Sequence, residues 1–119
     1  MSLPKLITAM LNPELYPHAV NKVELIQTHI SYVLLAGSYV YKIKKPVELG
    51  FLDFSTLDKR QVMCREEVRL NRRLAPDVYL DVVPIYEGGP CGVTLTPSSG
   101  EQPVEYAVKM RRLSENTML

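Results

Sequence analysis

A chain of 119 residues with 46% hydrophobic and 23% charged side chains has the make-up of one ordinary globular domain, long enough to bury a core without disulfide or metal staples. Its 14 Lys+Arg stand against 13 Asp+Glu, a net charge of +1, so no overall field draws it to nucleic acid or to an anionic membrane. Cys64 and Cys91 lie outside any C-x-x-C or Cys/His cluster, no apolar run reaches the ~18 residues of a membrane span, and "MSLPKLITAML" lacks the basic-then-apolar layout of a secretory signal; the expectation is a cytoplasmic protein with free thiols.

Taken in order, "PKLITAMLNPELYP" predicts one or two short helical turns, limited by Pro13 and Pro17. "KVELIQT" alternates apolar and polar residues and reads as a strand; "HISYVLLAG", rich in β-branched and aromatic residues, reads as a second. The turn "LAGSY" leads into a third over residues 39–44, so three strands with such short links form an antiparallel meander. Pro46 ends that strand, and "VELGFLDF" is a connecting loop. "STLD" has the form of a capping box opened by Ser55, with Asp58 in place of the usual Glu, and a helix follows from about 56 to about 74, stopped by Pro76. Then come "VYLDVVPIY", "CGVTLTP" and "EYAVKMRRL", three more strands set off by the turns "EGGP" and "PSSGEQP". The fold class is α+β: one long helix on an antiparallel sheet, with a short N-terminal helix.

The helix raises a charge problem. Met63, Glu67, Leu70 and Leu74 are spaced to share one face, and the apolar sector continues through Cys64, Leu57 and Val68, so Glu67 lies inside it. A carboxylate facing a core is costly unless it is paired. Lys42 and Lys44 lie on one side of the preceding strand together with Val40. A strand lysine fixed by a helix glutamate is a device for holding nucleotide phosphates. The plainer reading leaves both lysines solvated and lets Glu67 reach water along its stem.

"VYKIKKPVELGFLDFSTLDKR", "CREEVRLNRRLAPDVYLDVVPI" and "EYAVKMRRL" together resemble the amino-terminal part of a bacterial family of aminoglycoside-phosphotransferase-like proteins, often fused to a P-loop ATPase domain. The resemblance covers most of the chain, from about "THISYVLL" onward. It implies a protein-kinase-like amino-terminal lobe, a five-stranded antiparallel sheet with one helix. It places the nucleotide lysine of the third strand on Lys42, with Lys44 left solvated, and the helix glutamate, seven residues before a leucine, on Glu67. It sets the turn "QTHIS", with Thr28, His29 and Ser31, over the phosphates, and the strand end near Met110 and Arg111 beside adenine. The implied cofactor is ATP, with Mg²⁺ joining only in an intact protein.

Two departures qualify this. The "QTHIS" turn contains no glycine, so it is not a G-x-G-x-x-G loop. Phosphoryl transfer also needs a base and metal-binding carboxylates, which this fold takes from a second lobe. His18 and His29 stand outside any H-x-D motif, and no G-x-x-x-x-G-K-[ST] occurs. The expectation is therefore one lobe of a longer protein, catalytically incomplete by itself, whose partners are a nucleotide, a C-terminal kinase lobe and the ATPase domain. Two other readings stand beside it: a non-catalytic, pseudokinase-like structural or interaction module, and a homodimer formed through the surface that would meet the second lobe. His18 reads as a capping or surface residue, Arg69, Arg72 and Arg73 as a solvated helix face, and Cys64 as a small core residue.

Overall fold

The computed structural model describes residues 4–50, 53–96 and 102–112. An α-helix, α1 (Lys5–Met10), and a 3₁₀ turn (Pro13–Leu15) open the chain. Strands β1 (Val23–Gln27), β2 (Ser31–Ala36) and β3 (Tyr39–Lys44) follow, then helix α2 (Leu57–Asn71) and strands β4 (Tyr79–Glu87), β5 (Val93–Thr94) and β6 (Glu105–Arg111). The α+β class and the β1–β2–β3 antiparallel meander are as the sequence predicts.

The sheet has six strands in the order β1-β2-β3-β6-β4-β5, all antiparallel, where the resemblance implied five. The sixth is short: β5 pairs two residues with the end of β4, Thr94 with Tyr86 and Val93 with Glu87. The last strand inserts between β3 and β4, which places Lys42 opposite Val108 and in the middle of the sheet. The β2–β3 turn needs Gly37. Its φ is +64°, and a Cβ there would come within 2.4 Å of the Ala19 carbonyl oxygen. Residues 51–52 of the expected connecting loop, and residues 97 and 113 at the ends of the last two expected strands, lie outside the described residues.

The two faces of the sheet are covered differently. One buries Leu34, Ala36, Tyr41, Ile43, Ile85 and Ala107 under Ile7 and Met10 of α1 and under Tyr16. Tyr16 donates its hydroxyl hydrogen to the Met10 carbonyl at 2.6 Å, which ties the 3₁₀ segment to α1. The other face carries α2, whose Cys64 and Val68 close on Val108 with Tyr79, Val82, Tyr106 and Met110 around them.

Helix α2 corrects two expectations. Its N-cap is Thr56, not Ser55: the Thr56 hydroxyl accepts from the Lys59 N–H at 3.2 Å, while Ser55 donates its own N–H and hydroxyl to Asp53. Asp53 also takes the Lys59 ammonium, and these bonds hold its carboxyl down to about 2. The buried stripe is also rotated. Leu70 is 50% and Leu74 88% exposed, whereas Cys64 is fully buried. At about 100° per residue the true centre lies one step round from Met63, and Arg60, Glu67 and Asn71 fill the inward side between the apolar residues. The helix ends at Asn71, whose side-chain amide donates to the Glu67 carbonyl at 2.8 Å.

Candidate functional site

Strand β3 sends alternate side chains to opposite faces. Tyr39, Tyr41 and Ile43 go to the α1 side, so Val40, Lys42 and Lys44 face α2. The orientation of α2 is set at its first turn. Arg60 gives its Nε to both carboxylate oxygens of Glu105 on β6, at 3.0 and 3.1 Å, and an Nη1 to the Phe54 carbonyl at 2.8 Å. Burial pushes the Glu105 carboxyl up, against the pull of Arg60. About two turns further along the helix, Glu67 faces β3.

Glu67 meets both lysines. Lys42 Nζ donates to Oε2 at 2.9 Å and Lys44 Nζ to Oε1 at 2.7 Å. The choice of Glu67 as the inward carboxylate and its pairing with Lys42 follow the sequence expectation. The solvated Lys44 does not. Its side chain is 6% exposed against 29% for Lys42, and its ammonium lies 5.0 Å from the centre of the Phe54 ring, itself buried. Burial alone would raise the Glu67 carboxyl; hydrogen bonds and charge from the two lysines outweigh it and hold the group below the ordinary glutamate range. The deeper ammonium is missed from sequence because only Phe54, arriving from the loop after β3, closes over the strand end. The one signal for it was that Lys44 shares a strand face with Lys42.

Lys42 opens onto a cavity of about 540 Å³ lined by Thr28, His29, Ile30, Ser31, Val33, Val40 and Met110. Five of the seven sequence-selected residues line it, and Glu67 backs it through Lys42. Arg111 stands apart: its N–H is taken by the Val78 carbonyl and its guanidinium by the Asp77 carbonyl at 3.0 Å. The β1–β2 turn is self-braced. Thr28 Oγ1 accepts the N–H groups of Ile30 and Ser31 at 3.3 and 3.0 Å, so Thr28 builds the turn. The Ser31 hydroxyl is buried and has no hydrogen-bond partner within the protein. Ser31 lies opposite Lys44 in the β2–β3 ladder and lines the cavity, so its hydroxyl is an unspent donor in the cavity wall.

His18 is not a plain surface residue, since Nε2 lies 2.9 Å from the Tyr41 hydroxyl. Among the described residues no three His, Cys, Asp or Glu side chains gather as a metal site, and no helix is long and apolar enough to cross a membrane. A cavity of about 610 Å³ between α1 and β5, lined by Lys5, Leu6 and Val93 among others, lies away from the ionic cluster.

The chain is similar to uncharacterized proteins of Mycobacterium tuberculosis and Mycobacterium bovis, each 35% identical over 97 residues, which are 82% of this chain and 17% of the relative. It thus spans a small part of the length of those relatives. No family model matches it, and no solved structure does.

Proposed function

We propose that the chain is the ATP-binding amino-terminal lobe of a small-molecule phosphotransferase, kinase-like in plan and of the aminoglycoside-kinase kind. The observation that carries this is the Lys42–Glu67 ion pair, made between a central strand and the helix across it, opening onto a cavity rimmed by the β1–β2 turn. In this reading Lys42 binds the α- and β-phosphates and Glu67 holds the lysine in place. The Ser31 hydroxyl donates to a phosphate oxygen, His29 stands at the rim of the turn, and Met110 packs against adenine. ATP supplies the phosphoryl group. The base, the carboxylates that hold Mg²⁺ and the choice of acceptor belong to a further part of the protein.

The test is Lys42→Ala. ATP affinity, measured by calorimetry, falls about tenfold or more, since a charge-assisted contact to phosphate is lost. The thermal midpoint moves by only a few degrees, because the Lys42 side chain is 29% exposed. Unchanged affinity removes Lys42 from this role.

A second reading, a non-catalytic pseudokinase-like module, is favoured by the self-braced turn. It spends its Thr28 hydroxyl and two N–H groups on itself and has no glycine to let the backbone approach a phosphate closely. Val62 and Leu70, exposed on α2, would then serve a partner or a second copy of the chain. Absence of ATP binding by the wild-type protein favours this reading.

A further inference from the structure

We propose that Lys44 is a positioning residue: it occupies one oxygen of Glu67 permanently, so that Lys42 keeps a net positive charge for an anionic ligand of the cavity. The ligand half of this rests on the phosphate-binding reading above; the anchoring half does not.

A single lysine–glutamate pair is neutral, and an incoming phosphate must compete with the carboxylate for the ammonium. Here two ammonium groups share one carboxylate, so the cluster carries one uncompensated positive charge. The two lysines are not equivalent. Lys44 has the shorter contact, is the more deeply buried, lies against Phe54 and is not among the residues that line the cavity. Lys42 is the more exposed and does line the cavity. The excess charge therefore presents itself at Lys42. Among the described residues no second carboxylate pairs with either lysine. Glu105 is engaged by Arg60, and the Cys64 thiol beside the cluster stays neutral, pushed up to about 11 by burial. Lys44 also fixes Glu67 from the closed side, so the carboxylate stays facing β3 whether or not a ligand holds Lys42.

The first experiment needs no ligand. The side-chain carboxyl of Glu67 is followed by carbon NMR against pH in the wild type, Lys42→Met and Lys44→Met. The proposal requires the Glu67 titration to stay below the ordinary glutamate range in Lys42→Met and to climb in Lys44→Met. A Glu67 titration that climbs into the ordinary glutamate range in Lys42→Met overturns it, and that result stands whether or not Lys44→Met folds. The second experiment measures binding of ATP and inorganic pyrophosphate by calorimetry. Lys44→Met weakens both by about tenfold, because Glu67 then neutralises Lys42, and Lys44→Arg, which keeps a cation on Glu67, recovers part of the loss. A Lys44→Met variant that folds yet binds both as tightly as wild type overturns the charge argument. If the wild type binds neither probe, the phosphotransferase reading falls while the carboxyl titration still decides the anchoring role of Lys44.

Discussion

Glu67→Gln tests the ionic cluster as a stability element. Glutamine keeps the shape and accepts one N–H, but it carries no charge. Two ammonium groups are then left together, one of them on Lys44, a residue only 5% exposed. At an effective dielectric near 20, a unit pair about 4 Å apart interacts by about 4 kcal/mol, but desolvation of each ion offsets much of that. Removing one partner of a buried pair costs roughly 3–5 kcal/mol, and the partial exposure of Lys42 puts the figure at the lower end, near 3 kcal/mol. With about 2.1 cal/mol/K of unfolding entropy per residue over 119 residues, that is a drop in Tm of about 12 °C.

The pH dependence carries its own sign. The Glu67 carboxyl is held below its unfolded value, so its contribution is fully present above that value, ~4.3, and is lost as pH falls through the folded one. The assay is thermal unfolding of wild type and Glu67→Gln in parallel from pH 7 downward. The gap is widest near neutrality and closes in acid. A gap under about 1 kcal/mol at pH 7, or one that does not change with pH, refutes the reasoning, because either would mean that the cluster is solvated as an ordinary surface pair.

Two further outcomes follow from the packing. Gly37→Ala puts a Cβ against the Ala19 carbonyl oxygen at a positive φ, so it destabilises by roughly 2 kcal/mol, read from urea unfolding, while leaving the Glu67 carboxyl titration in place. Cys64 is fully buried with its thiol pushed up to about 11, whereas Cys91 is partly exposed; in a thiol-labelling time course at pH 8 Cys91 reacts fast and Cys64 only on unfolding.

What the sequence shows and what it hides divide along local and non-local lines. The β1–β2–β3 meander is legible because its links are short and Gly37 marks a turn. The helix is legible from its cap region and from Pro76. Glu67 stands out because a carboxylate among apolar positions needs a cation. The insertion of β6 between β3 and β4 is a pairing across more than sixty residues, and no local pattern specifies it. The helix face was misplaced by one residue step because Arg60 and Asn71, polar and inward, do not register as core; their burial depends on partners, Glu105 and the α2 backbone, that a periodicity count does not see. Lys44 was misjudged for the same reason, since a lysine is buried only where another element brings a carboxylate and a lid, here Glu67 and Phe54.

The two faces of β3 explain why such a cluster can exist in so small a chain. Tyr41 and Ile43 pack one face beneath α1, and that apolar layer holds the strand whatever the other face carries. The opposite face can therefore give part of its area to charged groups, beside the apolar contacts of Cys64 and Val68 with Val108. A buried ion cluster is a poor use of that face for stability, since apolar side chains of similar volume would hold α2 to the sheet at least as well. What apolar residues could not do is leave one ammonium, on Lys42, partly exposed at a cavity. The arrangement makes physical sense when it is read as a binding site for negative charge, and that reading puts the proposed function on the α2 face of the sheet.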